Sequence, residues 1–132
     1  MQQLMRQWLH KLYFWINNSI WPAIIWSALI FLLLVVPFEH KSEQSLLPFP
    51  NFDKVIHVFL FCIMSFLWSE YAKSKYATQG KYIFFIIVLS ILYGVLLEYI
   101  QHYTGRNFDP ADMLANGCGA IIGVCIKKSR NK

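Results

Sequence analysis

Residues 20–36, IWPAIIWSALIFLLLVV, contain no ionisable side chain and stop at Pro37, which cannot continue a helix interior. About 20 apolar residues carry a helix across the roughly 30 Å hydrocarbon layer of a membrane, where only a backbone satisfied within its own helix survives. Three further stretches approach that length. Residues 53–72 (DKVIHVFLFCIMSFLWSEYA) keep their ionisable groups near the two ends, and residues 82–103 (YIFFIIVLSILYGVLLEYIQHY) are apolar until Glu98. Residues 110–126 (PADMLANGCGAIIGVCI) are shorter and weaker, a span only if Asp112 and Asn116 face protein. Of the 132 residues 57% are apolar and only 14% charged, against roughly 25% charged in soluble chains. A water-facing surface cannot be furnished from that inventory, which excludes a soluble enzyme, a disordered tail and a secreted, disulfide-stapled scaffold. Cys62, Cys118 and Cys125 lie in apolar surroundings, read as packing residues, and give neither a disulfide framework nor a CxxC pair. The expectation is an all-α polytopic membrane protein, a bundle of four transmembrane helices within residues 20–126.

Lys and Arg orient such a bundle, because they stay in excess on the cytoplasmic side. Arg6 and Lys11 precede the first span, Lys73, Lys75 and Lys81 connect the second to the third, and Lys127, Lys128, Arg130 and Lys132 form a basic tail, 127–132: nine of twelve basic residues. Lys41, Lys54 and Arg106 fall on the other side. Both termini are therefore expected in the cytoplasm. The net charge of +5 is spread over short segments rather than gathered on one face, so no nucleic-acid partner is expected.

Residues 1–19 lack the layout of a signal peptide, and the first span is expected to be retained. Met5, Trp8, Leu9, Leu12 and Ile16 share one helical face, with Arg6, Gln7, His10 and Lys11 away from it. This fits either an amphipathic helix at the cytoplasmic interface or a wet extension of the first span. Trp8, Trp15, Trp21 and Trp68, with Tyr13, Tyr71, Tyr76 and Tyr82, gather near the same boundary, where aromatic rings anchor.

Ionisable groups inside a span cost about 2.5–3.5 kcal/mol each at its centre on insertion scales, so their positions carry information. Here they are expected at one end only. Asp53, Lys54 and His57 start the second span, Glu98, Gln101 and His102 finish the third, and Arg106, Asp109, Asp112 and Asn116 surround the start of the fourth. Residues four apart share a helical face, which pairs Asp53 with His57, Glu98 with His102, and Asp112 with Asn116. Ser90, Gly94 and Glu98 recur at the same interval, so Glu98 lies on the face where a neighbouring helix approaches most closely. Ala111, Ala115, Gly119 and Gly123 form a second small-residue stripe, which serves helix packing inside the bundle or joins two copies. Asp109 before Pro110 reads as a helix N-cap, and Asp112 sits in the first turn, where the helix dipole favours negative charge. Arg106 can hold a carboxylate or a phosphate through two parallel hydrogen bonds.

The segments DKVIHVFLF at 53–61 and GVLLEYIQHYTGRNFDPADMLANGCGAIIG at 94–123 resemble the two signatures of the VanZ-like family of small bacterial membrane proteins. The resemblance covers most of residues 53–123 and implies a four-helix protein of the bacterial inner membrane. It places Asp53, Lys54, His57, Glu98, Gln101, Arg106, Asp109, Asp112 and Asn116 at the family's characteristic positions. It also implies a loose link to glycopeptide (teicoplanin) resistance, and brings no established reaction with it.

Three functions follow from these residues. One is a ligand site at the outer leaflet for an anionic envelope lipid or lipid-linked cell-wall precursor, with Arg106, Lys54 and His57 holding phosphate and the carboxylates occupied by capping, by Arg106 or by a metal. A second is structural, a buried ion-pair network that fixes the bundle while the protein binds another membrane protein. The third is catalysis on a lipid head group, with Glu98 and His57 as general base and acid. No GxSxG, HExxH or dinucleotide-loop motif is present, so no reaction, metal or cofactor is assigned from the sequence.

Overall fold

In the computed structural model the described residues are 1–36, 51–76, 79–105 and 108–129, and among them every regular element is an α-helix. These are α1 (Gln2–Asn18), α2 (Trp21–Val35), α3 (Phe52–Lys75), α4 (Gln79–Tyr103) and α5 (Pro110–Ser129). Helices α2 to α5 coincide with the four apolar stretches of the sequence to within a few residues at each end. Lys41 and the loop around it, Arg106 and the last three residues of the tail lie outside the described residues.

α1 and α2 are separate helices rather than one long one. The backbone is extended at Ser19, its N–H closes α1 on Trp15 O, and its hydroxyl accepts the Trp21 N–H at 3.3 Å. Pro22 follows within the first two positions of α2, where its missing N–H costs nothing. The described side chains of α1 are exposed, Trp8 and Leu4 included.

Helix directions follow from which residues meet. Trp26 Nε1 donates to Leu60 O at 3.0 Å, Tyr93 OH to Ser27 O at 2.7 Å and Gln101 Nε2 to Leu34 O at 2.9 Å. α2 and α4 therefore run parallel, with α3 antiparallel to both. α5 runs parallel to α3, meeting it near Lys54 at one end and Glu70 at the other. The chain thus passes up and down four times. The start of α3, the end of α4 and the start of α5 share one end, called the polar end below. Ile30, Leu34, Leu60, Phe61, Met64 and Leu97 form the core between α2, α3 and α4, and Ala72, Tyr82, Ile86 and Val124 fill the opposite half.

The α3–α5 seam is set by two glycines. A Cβ on Gly119 would meet the Val58 carbonyl, and one on Gly123 the Cys62 carbonyl and the Ser65 hydroxyl. The small-residue stripe thus packs on α3 within one chain, so a second copy would need another surface. Large apolar side chains cover the outside, Phe59, Phe84, Leu89, Leu92 and Leu114 among them. Among the described residues two helices are long and apolar enough to cross a membrane, Phe52–Lys75 and Gly80–Tyr103. The expected four-span bundle is met only in part: α2 is apolar, but its 15 residues extend about 22 Å at 1.5 Å per residue, and α5 carries Asp112, Asn116 and Lys127.

Candidate functional site

α5 begins as its sequence requires. Asp109 Oδ1 accepts the Ala111 N–H at 2.9 Å and its carbonyl accepts the Asp112 N–H at 3.0 Å, with Pro110 in the first turn. This geometry carries Asp112 inward and holds Asp109 at the rim. Its other oxygen, Oδ2, accepts from Lys54 Nζ at 2.6 Å, so Asp109 is cap and ion-pair partner at once. The Lys54 ammonium and the Ala111 N–H together hold the Asp109 carboxyl below the usual carboxylate range. α4 ends through Gly105, whose φ of +90° is the left-handed geometry that glycine adopts freely, after Thr104 N–H has bonded back to Ile100 O and Gln101 O.

Lys54 also donates to Asp112 Oδ1 at 3.0 Å and lies 3.5 Å from Asp53 Oδ2. Lys54, Asp53 and Asp109 remain part-exposed, forming the mouth. Beneath them His57, Glu98, Gln101, Asp112 and Asn116 are each at most 4% exposed. His57 Nδ1–H donates to Asn116 Oδ1 at 2.9 Å, while Nε2 faces Asp112 Oδ2 at 3.9 Å. The amide of Asn116 fits because α4 has no side chain opposite it: a Cβ on Gly94 would stand 2.9 Å from Asn116 Nδ2. Glu98 Oε2 lies 3.5 Å from the Asp109 N–H. Gln101 is committed to the Leu34 carbonyl, one of the last in α2 and without a partner inside its own helix.

Among the described residues two groups bring their ligand-type atoms within 4.8 Å of one another: His57, Glu98 and Asp112, all buried, and Asp53, Asp109 and Asp112 around Lys54. Eight of the nine residues singled out in the sequence therefore gather at one end, and Arg106 lies outside the described residues.

Three sequence expectations need correction. His102 is exposed, stacked edge-on at 6.1 Å from the Tyr103 ring, and the inward partner of Glu98 on α4 is Gln101, three residues on. Ionisable groups are not confined to the polar end, because Glu70 on α3 and Lys127 on α5 form a buried ion pair at the far end. Lys127 continues the four-residue interval of Ala115, Gly119 and Gly123, a signal that could have placed it in the seam. Trp68 and Tyr82 are not surface anchors either: Trp68 Nε1 donates to Ser27 Oγ at 3.2 Å and Tyr82 is buried. Cys62 is half-buried while Cys118 and Cys125 are exposed, and all three are free thiols. Apolar cavities of about 310 and 530 Å³ adjoin Trp68, Ile86 and Leu89, away from the polar end.

Described residues that are helical in every regular element, with two membrane-length helices and a buried polar end among them, define a class of small membrane protein. Its sequence matches the VanZ/LLP1 family over residues 13–129, and the chain belongs to that family. An uncharacterized protein of Schizosaccharomyces pombe is 30% identical over 100 residues, 74% of this chain and 59% of that protein. The chain thus spans less than two thirds of that relative. No solved structure matches it.

Proposed function

We propose that this VanZ/LLP1 family member spans the membrane four times and holds the head group of an anionic envelope lipid, or of a lipid-linked cell-wall precursor, at its polar end. Support for four spans comes from α5. Its polar residues Asp112, Asn116 and Lys127 are buried against protein, and Leu114, Ile121, Ile122 and Ile126 point outward. A short α2 is accommodated by local thinning or tilt of its neighbours. With Arg6, Lys11, Lys73, Lys75, Lys81 and the tail on the far side, the basic-residue rule puts both termini in the cytoplasm and the polar end at the outer leaflet of a bacterial inner membrane. α1 then lies along the cytoplasmic face, its apolar residues against lipid.

The observation that carries the ligand reading is the burial of five polar side chains from three helices beneath a part-exposed mouth, in a chain whose exterior is apolar. Groups this costly to bury away from water are kept where they do something. A head group entering at Lys54 would meet the hydrogen-bonding side chains of His57 and Asn116 below it. The teicoplanin link of the family's namesake is consistent with a ligand in the envelope, and a fungal relative favours a lipid head group over a wall-specific one.

The closing of Lys54 on three carboxylates favours the structural alternative, a network that fixes the bundle. Native mass spectrometry of the detergent-purified chain separates the two. The ligand reading expects retained anionic lipid in the wild type and its loss in Glu98→Gln and His57→Gln at near-normal folded yield. Collapse of yield in both variants, with no lipid retained by the wild type, supports the network instead.

A further inference from the structure

Each of His57, Glu98 and Asp112 is contributed by a different helix, and their ligand-type atoms lie within 4.8 Å of one another. Three atoms so spaced always share a point that is no more than about 2.8 Å from any of them. Ordinary metal–nitrogen and metal–oxygen bonds run about 2.0–2.2 Å, so small side-chain adjustments bring all three within bonding range. From this geometry we propose that His57, Glu98 and Asp112 bind one divalent transition-metal ion of the Zn²⁺ or Mn²⁺ kind.

The orientation of His57 is the second support. The amide oxygen of Asn116 carries no proton, so the proton between the two groups belongs to His57 Nδ1, and Nε2 is the nitrogen turned toward Asp112. Metal-bound histidines have this arrangement, one nitrogen on the ion and the other N–H held by a carbonyl or carboxylate that fixes the ring. Asn116 is that partner, itself buried and admitted by Gly94. The 3.9 Å between Nε2 and Asp112 Oδ2 is too long for a hydrogen bond and suits two ligands of one ion.

The neighbouring trio is filled by a cation of the chain itself. Asp53, Asp109 and Asp112 surround the Lys54 ammonium, and Asp112 faces both ways: Oδ1 toward Lys54, Oδ2 toward His57. The deeper trio has an imidazole in place of a third carboxylate. One nitrogen and two carboxylates suit Zn²⁺ or Mn²⁺, whereas Mg²⁺ and Ca²⁺ favour oxygen alone. Three protein ligands leave open positions, and the ion would offset the surrounding carboxylates. That a head-group phosphate fills an open position rests on the function proposed above; the metal site itself does not. No linear motif displays it, because the three ligands are 41 and 14 positions apart.

The test uses the full chain in lipid-free detergent, stripped with a chelator and titrated with Mn²⁺ alone. Saturable binding at one ion per chain is expected, with nitrogen hyperfine coupling from one imidazole in the Mn²⁺ resonance spectrum. His57→Gln should abolish that coupling, and Asp112→Asn should weaken binding at least tenfold. Asn116→Ala should weaken binding about 10–100-fold while the coupling persists, as expected of a positioning residue. Lys75→Gln, exposed at the opposite end of α3, should leave binding unchanged. No saturable binding to the wild type at millimolar Mn²⁺, or binding without nitrogen coupling, overturns the site even if a variant fails to fold. Because no lipid is present, loss of the lipid reading would leave this result standing.

Discussion

Lys54 and Lys127 both enter the α3–α5 seam, one at each end, in different company. Lys127 and Glu70 pair with each other, almost completely buried. Lys54 is shared among three carboxylates, stays part-exposed, and stands over His57, Asn116, Glu98 and Gln101. A closed pair holds two helices together and offers nothing to a ligand. An open cluster with a mouth leaves chemistry available. The far end is built as a clamp and the polar end has the layout of the site proposed above, with Gly119 and Gly123 setting the close approach between them.

Breaking the clamp should have the largest effect. Lys127→Ala removes the buried ammonium that pairs with Glu70, a loss of about 3–5 kcal/mol, read as reduced folded yield and a lower unfolding midpoint in detergent. Replacing both partners, Glu70→Leu with Lys127→Met, should recover most of it, because packed apolar residues replace buried ion pairs at little cost. Gly123→Ala comes next, at about 1–3 kcal/mol, since its Cβ would collide with the Cys62 backbone carbonyl, which cannot swing aside, as well as with the Ser65 hydroxyl. Gln101→Met should cost about 1 kcal/mol, by removing the donor to the Leu34 carbonyl. Asp109→Asn should have the smallest effect, because Asn keeps the cap. The Asp109 carboxyl titrates below its usual range in the folded chain. Its contribution is therefore present at neutral pH and lost as pH falls through that lowered value, so wild type and variant should converge in acid.

Much of this comparison was legible in the sequence, for identifiable reasons. The long apolar runs mark α3 and α4 because lipid tolerates nothing else over that length. Asp109–Pro110 marks the start of α5 because cap and first-turn chemistry are local. The gathering of His57, Glu98, Asp112 and Asn116 followed from polar residues at helix ends that meet in an up-and-down bundle. Finer facing did not follow. Residues three and four after Glu98 lie on either side of it, and only the position of α2 selects Gln101 over His102. Lys127 was hidden by Lys128 and Arg130, which make it look like the start of a solvated tail, and Glu70 by its place near the helix end. Trp68 looked like an interface anchor because composition does not reveal that Ser27 waits opposite its indole N–H.

The division of labour between the ends is tested most directly by lipid-dependent thermal stability of the full chain in micelles. Phosphatidylglycerol, relative to phosphatidylcholine, should raise the unfolding midpoint of the wild type, since a ligand that binds only the folded state stabilises it. The same rise is expected in the Glu70→Leu, Lys127→Met double variant and none in His57→Gln. An equal rise in His57→Gln, or none in the wild type, would contradict the assignment of the polar end as a site.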